Sequence, residues 1–263
     1  MLKFCSLYSG SSGNCLFVNS NHTKVLVDCG VSCKKICEGL ENIDSSIEDI
    51  DAILITHEHS DHIQGLGTIS KKFNIPVYAN IETWNAMEKQ REKINPDNIQ
   101  TFENDKDFKL NDLTIHPFST PHDAANPCGF NIHNGSKRLS IATDLGYMDD
   151  RIISELHSSS FVFLEANYDQ EILRVSRYPF SLKQRISGPN GHLSNDTAGK
   201  TVSSLITKKD LKEVMLGHLS KENNFPELAY QTVVNELIQT NTDINEIRLS
   251  VANRYQPSKI INL

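Results

Sequence analysis

Three histidines and an aspartate lie within one short stretch of the chain, directly after an apolar segment. The stretch is His57-Glu58-His59-Ser60-Asp61-His62, and it follows Ile53-Leu54-Ile55-Thr56. A β-strand over the apolar residues would deliver His57 at its carboxyl end, where the chain must turn and nearby side chains can converge. The pattern constrains the fold, because it requires a buried strand that ends at a polar edge.

The donor types in this stretch predict a metal site. His57 and His59 are spaced to hold one cation, and Asp61 and His62 are spaced to hold a neighbouring one. Imidazole together with carboxylate suits Zn²⁺, and also Mn²⁺ or Fe²⁺, whereas Mg²⁺ and Ca²⁺ sites are built mainly from oxygen. The alternative is a polar surface loop, and we favour the metal site because this spacing is rare by chance.

Further candidate ligands share one placement, at the end of a predicted strand. They are His122 after residues 113–119, Asp144 after 139–143 and His218 after 214–217. Taken singly, each has an ordinary alternative, since a histidine after a strand is commonly a loop residue and a strand-ending aspartate is commonly a turn or cap. Several strand ends that meet at one edge favour a shared metal site.

These residues, in this order, resemble the motifs of the metallo-β-lactamase superfamily. The resemblance covers most of the chain and implies an α/β (α+β) fold, a four-layer αβ/βα sandwich. Carried over residue by residue, it implies a first metal held by His57, His59 and His122, a second held by Asp61, His62 and His218, and Asp144 bridging both. Asp28 matches the superfamily's early strand-ending aspartate, which supports the site without ligating a metal. Histidine at position 59, where the flavodiiron branch has glutamate, argues against an oxygen-reducing di-iron protein.

Four longer phrases resemble the YycJ/WalJ-type exonucleases of that superfamily. They are Ser9–Cys15, Ser119–Ala124, Gly191–Asn195 and Gly217–Asn224. Glu165 and His192 also have counterparts in the transfer-RNA 3′-processing branch, where a strand-ending glutamate orients a histidine that is not a ligand. The resemblance therefore implies a 5′-to-3′ DNA exonuclease with Glu165 and His192 beside the metals.

The expected chemistry is hydrolysis. Two cations about 3.5–4 Å apart can share a water, lower its pKa and stabilise the charge that develops during attack. For a phosphodiester we expect the hydroxide to attack phosphorus in line, aimed by Asp61, while His192 protonates the leaving oxygen. A phosphate contact and an ordinary loop position remain alternatives for His192.

Two other functions fit the same fold less well. A thioester or lactone hydrolase is the runner-up, and no residue stands out as the stabiliser of an acyl oxyanion. A metal-binding scaffold without turnover is disfavoured by the completeness of the ligand set.

Substrate contacts are weakly indicated. The net charge of −7 opposes phosphate binding, but two divalent ions would add positive charge at the site. The turn holding Ser11, Ser12 and Asn14 would offer backbone amides to a terminal phosphate, or is a plain hairpin loop. The segment 174–185 is either a strand clamp or a solvated helix face, and it carries Arg174, Arg177, Lys183 and Arg185 around Tyr178 and Phe180. We predict that Lys208, Lys209 and Lys212 are solvated.

Length and composition predict a single domain over residues 1–263 in the cytoplasm. The six cysteines are unevenly spaced, and the chain shows neither a signal peptide nor an apolar run of membrane-spanning length. An exported β-lactamase is disfavoured for the same reason. Cys29, Cys33 and Cys37 recur every four residues, and we interpret them as packing residues rather than as a second metal site. We expect DNA rather than RNA as partner and no membrane association, and nothing indicates an oligomeric state.

Periodicity predicts two runs of strands with helices outside them. The predicted strands are 2–8, 14–19, 24–28, 51–55, 76–79, 112–118, 128–133, 138–143, 160–165, 212–217 and 246–251. The predicted helices are 32–40, 62–73, 81–93, 149–158, 195–207 and 225–240. Asn134-Gly135 predicts a tight turn, and residues 93–111 are the most loop-like segment.

Overall fold

A computed structural model describes residues 1–206, 210–242 and 244–263. The chain divides into two compact units. Unit 1 comprises Met1–Ser119, Ala124–Ser136 and Asn253–Leu263, and unit 2 comprises Thr120–Asp123 and Lys137–Ala252. The prediction of a single domain over residues 1–263 stays a prediction.

Both units combine strands with helices. Within the described ranges the strands are β1 (Lys3–Tyr8), β2 (Cys15–Asn19), β3 (Lys24–Val27), β4 (Ala52–Leu54), β5 (Val77–Ala79), β6 (Ile99–Thr101), β7 (Phe108–Leu110), β8 (Leu113–Ser119), β9 (Cys128–Asn134), β10 (Lys137–Ala142), β11 (Phe161–Glu165), β12 (Glu213–Gly217), β13 (Arg248–Val251) and β14 (Ile261–Asn262). The α-helices there are α1 (Cys33–Glu41), α2 (Ser60–Ile63), α3 (Leu66–Phe73), α4 (Ile81–Ala86), α5 (Glu88–Arg91), α6 (Asp150–Leu156), α7 (Gln170–Val175), α8 (Phe180–Ser187), α9 (Asn195–Ile206) and α10 (Pro226–Gln239). None of the helices described is both long and apolar enough to cross a membrane.

In unit 1, one sheet has the strand order β14-β1-β2-β3-β4-β5-β6. Its first strands pair antiparallel, whereas β3, β4, β5 and β6 are parallel, with Val27 opposite Leu54. Parallel neighbours require crossover connections, which α1 and the helices from α2 to α5 supply. The carboxyl ends of β3 and β4 therefore lie at one edge, where Asp28 and His57 follow. A separate ladder in this unit pairs β7, β8 and β9 antiparallel.

In unit 2, four parallel strands follow the order β10-β11-β12-β13. Ala142 is opposite Leu164, and Glu165 is opposite Gly217. Because the strands are parallel, their carboxyl ends share one edge. Asp144 and His218 follow two of those ends, and Glu165 is the last residue of the strand between them.

A hydrophobic core in unit 1 contains Leu26, Ile53, Leu66 and Trp84, all without solvent exposure. Cys29 belongs to this core, and Cys33 and Cys37 pack against it, in agreement with a packing role. Burial and the neighbouring Cys33 thiol raise the pKa of Cys37 to about 11, so it is a neutral thiol near neutral pH.

All eleven predicted strands are present, with ends shifted by at most two residues. Three short strands, β6, β7 and β14, were not predicted. β6 and β7 lie in the segment that we predicted to be the most loop-like. A turn with Gly135 at φ +58° separates β9 from β10, as Asn134-Gly135 predicts.

Two predicted helices, 62–73 and 81–93, are wrong as continuous elements. The first is divided into α2 and α3 at Gly65, whose N–H donates to Cys29 O at 2.8 Å and whose Cα lies too close to Val31 O for a side chain. The second is divided at Met87, whose backbone leaves the helical region and whose side chain is buried. The predicted end of the helix 195–207 and the residues Lys208 and Lys209 lie outside the described residues.

Candidate metal-binding clusters

The four donors of the His57–His62 stretch form the first cluster. The stretch begins three residues after the end of β4 and enters α2, with His59 as the residue before the helix and His62 N donating to His59 O at 2.9 Å. His57 and His62 are each 1% exposed, and Asp61 is partly exposed. A plain surface loop would not bury two imidazoles, so the surface-loop interpretation of this stretch is wrong.

Asp28 organises the first cluster through hydrogen bonds. Asp28 Oδ2 accepts from Thr56 Oγ1 at 2.8 Å and from His62 Nδ1 at 2.7 Å, and its Oδ1 accepts from Thr56 N at 2.9 Å. Since the Thr56 hydroxyl donates to Asp28, its oxygen accepts from His57 Nδ1 at 3.0 Å. Both imidazoles therefore carry their proton on Nδ1 and present the Nε2 lone pair, which is the arrangement of metal-ligating histidines.

Backbone contacts hold the loop after β3 against the first cluster. Cys29 N donates to His62 O at 2.7 Å, Gly30 N donates to Asn14 O at 2.7 Å, and Asn14 N donates to Asp61 O at 2.8 Å. A Cβ at Gly30 would lie 1.6 Å from Asp61 O, so only glycine permits this approach. The position of Asp61 thus depends on a residue that carries no side chain.

The second cluster lies in unit 2 and comprises His122, Asp144, His192 and His218 around Glu165. His122 and His218 side chains are each 1% exposed, Asp144 is 3% exposed, and His192 is more open at 17%. Asp144 Oδ1 lies 3.5 Å from His122 Nε2 and 3.6 Å from Nδ1 of both His192 and His218. The predicted strand-end residues His122, Asp144 and His218 therefore lie close together within this unit, beside Glu165.

Glu165 is the hub of the second cluster. Its Oε1 accepts from His192 Nδ1 and from His218 Nδ1, each at 2.8 Å, and its Oε2 accepts from Leu145 N at 2.9 Å and Leu193 N at 3.1 Å. Burial raises the pKa of Glu165, but the charge of His192 and the imidazole hydrogen bonds outweigh it, so the pKa lies below its ordinary value. Glu165 is thus a carboxylate that fixes two rings at once.

His122 is held by a different partner. Its Nδ1 lies 2.9 Å from Gly191 O, and because a carbonyl only accepts, this nitrogen carries the proton and Nε2 has the lone pair. Burial lowers the pKa of His122 despite the attraction of Asp144, so the ring is neutral near neutral pH. A neutral imidazole is the form that ligates a metal.

Three residues at the strand ends have left-handed backbones: Asp28 at φ +63°, Asp144 at φ +58° and His218 at φ +55°. This region is uncommon outside glycine, although aspartate and histidine tolerate it better than most residues. Residues held there concentrate at functional sites, where the surrounding structure sets the conformation.

The donor set fits divalent metal ions. Five imidazoles have Nδ1 hydrogen-bonded and Nε2 as the lone-pair nitrogen, namely His57, His62, His122, His192 and His218. Asp61 and Asp144 add carboxylate oxygens. Donor atoms of Asp144, Glu165, His192 and His218 lie within 4.8 Å of one another, but the Nδ1 atoms face Glu165, so Glu165 positions these rings rather than competing for a metal.

Two positioning residues, Thr56 and Asn167, were not predicted from the sequence. Thr56 connects His57 to Asp28, and Asn167 Nδ2 donates to His218 O at 2.8 Å. The contact between Glu165 and His218 was not predicted either. Thr56 and Asn167 adjoin predicted strand ends, which was the available signal, but neither residue type indicates a partner by itself.

The residues predicted to contact substrate have different surroundings. Ser11 and Ser12 are exposed and line a cavity of about 770 Å³ in unit 1, beside Asp61. Asn14 is buried, its Oδ1 accepting from Gly10 N at 2.9 Å and its Nδ2 donating to Asp61 O at 3.3 Å, so it supports the first cluster. Arg185 pairs with Asp123 through two hydrogen bonds of 2.5 and 3.1 Å. Their contacts with substrate stay predictions.

A family model for the β-lactamase superfamily domain matches residues 23–218 of the chain. Exodeoxyribonuclease WalJ of Streptococcus pneumoniae is 41% identical over 244 residues, which cover 92% of this chain and 90% of the relative. Exodeoxyribonuclease YycJ of Bacillus anthracis is 39% identical over 245 residues, which cover 93% of this chain and 92% of the relative.

Solved structures show the same fold at low sequence identity. The metallo-β-lactamase fold protein YhfI from Bacillus subtilis has a TM-score of 0.70 and 16% identity, covering 98% of this chain and 100% of YhfI. Zn²⁺-bound PqqB from Methylobacterium extorquens has a TM-score of 0.72 and 14% identity, covering 99% of this chain and 100% of PqqB. The predicted α/β (α+β) fold class of the metallo-β-lactamases is confirmed. The chain therefore belongs to the β-lactamase superfamily, and within it to the family of the proteins named exodeoxyribonuclease WalJ and YycJ.

Proposed function

We propose that this protein is a metal-dependent phosphodiesterase that degrades DNA as a 5′-to-3′ exonuclease. The observation that carries the proposal is the likeness to WalJ and YycJ over nine-tenths of the chain, together with two clusters of buried imidazoles that present Nε2. DNA rather than RNA, and the 5′-to-3′ direction, are parts of the proposal. The six free thiols agree with a reducing compartment, and we propose the cytoplasm.

The proposed ligand set, carried over from the family motifs, would hold two cations. One cation is assigned to His57, His59 and His122, the other to Asp61, His62 and His218, and Asp144 is assigned to both. Imidazole with carboxylate favours Zn²⁺ or Mn²⁺, with Fe²⁺ as a further candidate. When bound, two such cations lower the pKa of water and stabilise the negative charge that develops on phosphate oxygens.

Residues of the protein orient the histidine rings and supply the proton for the leaving oxygen. Asp28 and Thr56 keep the protons of His57 and His62 on Nδ1, and Glu165 does the same for His192 and His218. His192 is the most exposed histidine of the second cluster, so its Nε2 is the accessible ring nitrogen, and with both nitrogens protonated the ring would donate the Nε2 proton to a leaving oxygen while Nδ1 stays on Glu165. We assign Asp61 to aim the attacking water.

Substrate panels test this assignment. Protein loaded with Zn²⁺ or Mn²⁺ is given oligonucleotides labelled at either end, as DNA and as RNA, alongside bis-p-nitrophenyl phosphate, a thioester and a lactone. We expect mononucleotides released from 5′ ends of DNA, and loss of that activity in His59→Ala and Asp144→Ala. Cleavage of the thioester or lactone alone would replace the exonuclease with an acyl hydrolase.

A further inference from the structure

Unit 2 contains a second cavity that the catalytic proposal does not use, and we call it the α7–α8 groove. Its volume is about 690 Å³, within the range of small-molecule sites. Its lining includes Tyr168, Arg174, Tyr178, Phe180, Lys183 and Gln184. The end of α7 and most of α8 fall within the segment 174–185, where basic and aromatic residues are interspersed.

The aromatic side chains of the groove are available to a ligand. Phe180, in the first turn of α8, is 74% exposed, and Tyr178 is partly exposed. Tyr168 also lines the groove and is buried. The exposed ring of Phe180 would be buried if a ligand stacked on it, and the flat face of a nucleobase is a suitable partner.

The cations of the groove are held in place. Arg174 pairs with Glu171, with Nε and Nη2 at 3.0 and 2.5 Å from Oε2, so its charge is largely balanced. Lys183 Nζ donates to Arg174 O at 2.7 Å, which ties α8 to the end of α7. Lys183 thus supplies a fixed positive charge at the wall of an aromatic cavity, where a phosphate would be attracted.

The end of α8 carries the loop of the second cluster. His192 N donates to Ile186 O at 2.8 Å, Gly191 N donates to Gly188 O at 2.9 Å, and Gly191 O accepts from His122 Nδ1. A Cβ at Gly191 would lie 2.2 Å from Ile186 O, so the loop is tightly packed on the helix. A ligand bound to α8 therefore contacts the element that positions His122 and His192.

We propose that the α7–α8 groove binds one nucleotide of single-stranded DNA, with the base against Phe180 and Tyr178 and a backbone phosphate at Lys183. This proposal rests on the proposed function for its substrate class. It assigns the segment 174–185 to strand clamping instead of a solvated helix face.

The test is a binding measurement that needs no cleavage. Fluorescence anisotropy of a phosphorothioate-linked oligothymidine is followed with the full-length, Mn²⁺-loaded protein across a salt series. Phe180→Ala should weaken binding by about fivefold or more, because stacking of one base on an aromatic ring is lost, and should leave the salt dependence unchanged. Lys183→Gln should reduce the slope of log K against log salt concentration by about 0.7, the value for one phosphate contact on a single strand.

Matched controls and outcomes separate the alternatives. Tyr230→Ala on α10 and Lys200→Gln on α9 remove an exposed aromatic and an exposed cation elsewhere in unit 2, and both should bind like the unaltered protein. Lys183→Arg should keep the salt slope, which guards against a loss of fold in Lys183→Gln. The proposal would be overturned if the DNA affinity of Phe180→Ala were within twofold of that of Tyr230→Ala. It would also be overturned if Phe180→Ala changed the oligomeric state of the protein and left its DNA affinity unchanged, because Phe180 would then lie in a protein interface. Groove-dependent binding without any DNA cleavage would reject the exonuclease and keep the groove.

Discussion

Asp28 Oδ2 lies 2.7 Å from His62 Nδ1, and both side chains are almost completely buried. The same oxygen accepts from Thr56 Oγ1, so one carboxylate determines the proton positions of two imidazoles, His57 and His62. The left-handed backbone of Asp28 places its carboxylate beside the loop that follows β4. A residue outside the proposed ligand set thereby determines which ring nitrogen His57 and His62 present.

Asp28→Asn should lower metal affinity about 10- to 100-fold while leaving the fold intact. The amide NH₂ would face the donors of Thr56 and His62, so the proton of His62 would move to Nε2 and remove the lone pair. The measurement is metal per chain after dialysis against a competing chelator. Asp97→Asn, at an exposed position, is the control, and equal metal content in the two variants would contradict the assignment.

Glu165→Ala should cost about 3 kcal/mol or more of the free energy of unfolding, because four donors, three of them in buried hydrogen bonds, lose a charged acceptor. Glu165→Gln keeps an acceptor for the N–H groups of Leu145 and Leu193, so most of that stability should return. It should still lose turnover, since the amide cannot accept from His192 and His218. Urea unfolding and hydrolysis of bis-p-nitrophenyl phosphate provide the two measurements, and parallel recovery of both would show that the imidazole contacts are dispensable.

His192→Ala and His122→Ala should separate turnover from metal binding. We expect His192→Ala to lower turnover about 10²- to 10⁴-fold with nearly full metal content, as for a lost general acid. His122→Ala removes a buried, neutral imidazole assigned to the first cation and should lower both quantities. Inductively coupled plasma mass spectrometry together with steady-state kinetics distinguishes the variants, and equal metal loss would make His192 a ligand.

Asp112 should contribute stability that depends on pH. Its Oδ1 accepts from Ser20 Oγ at 2.7 Å and Thr23 Oγ1 at 2.6 Å, and its Oδ2 accepts from Asn134 Nδ2 at 2.9 Å. Burial raises the pKa of Asp112, but these hydrogen bonds outweigh it, and the folded pKa lies below its ordinary value. The contribution is therefore present above the unfolded pKa of about 3.9 and is lost as pH falls through the folded pKa.

The measurement is the free energy of unfolding in urea between about pH 6 and pH 3. Asp112→Asn should be less stable than the unaltered protein near pH 6, and the difference should shrink toward pH 3. Asp97→Asn should follow the unaltered protein throughout. A difference that stays constant with pH would assign the Asp112 effect to packing.

Most strands were predictable from their apolar runs, such as Phe161–Leu164. The candidate donors were predictable because such a run is followed by a residue that can bind a proton or a metal, as Glu165 follows Leu164. β6 and β7 were not, since each has three residues and pairs with a neighbour that only the tertiary fold supplies. α7 and α8 bury little, with Leu173 the buried residue of α7, so they lack the apolar stripe that marks a helix.

The candidate donor side chains were predictable from the sequence, whereas the backbone conformations and hydrogen bonds that position them were not. Residue type and spacing selected His57, Asp144 and His218 as candidate donors, because metal ligands come from a short list of side chains. The left-handed backbones of Asp144 and His218, and the double contact of Glu165, depend on how parallel strands bring their ends together. No local pattern encodes those distances.

Gly30→Ala should destabilise the protein by on the order of 3 kcal/mol, because the new methyl group would overlap Asp61 O and push the first cluster away from β3. Gly135→Ala is the matched control. Gly135 has nothing within 4 Å of a Cβ but a φ of +58°, so alanine there should cost about 1 kcal/mol from backbone strain alone. Gly30→Ala should also lose metal, whereas Gly135→Ala should not. Urea unfolding with metal analysis checks both, and a Gly30→Ala protein with full metal content would show that the close approach to Asp61 does not position the cluster.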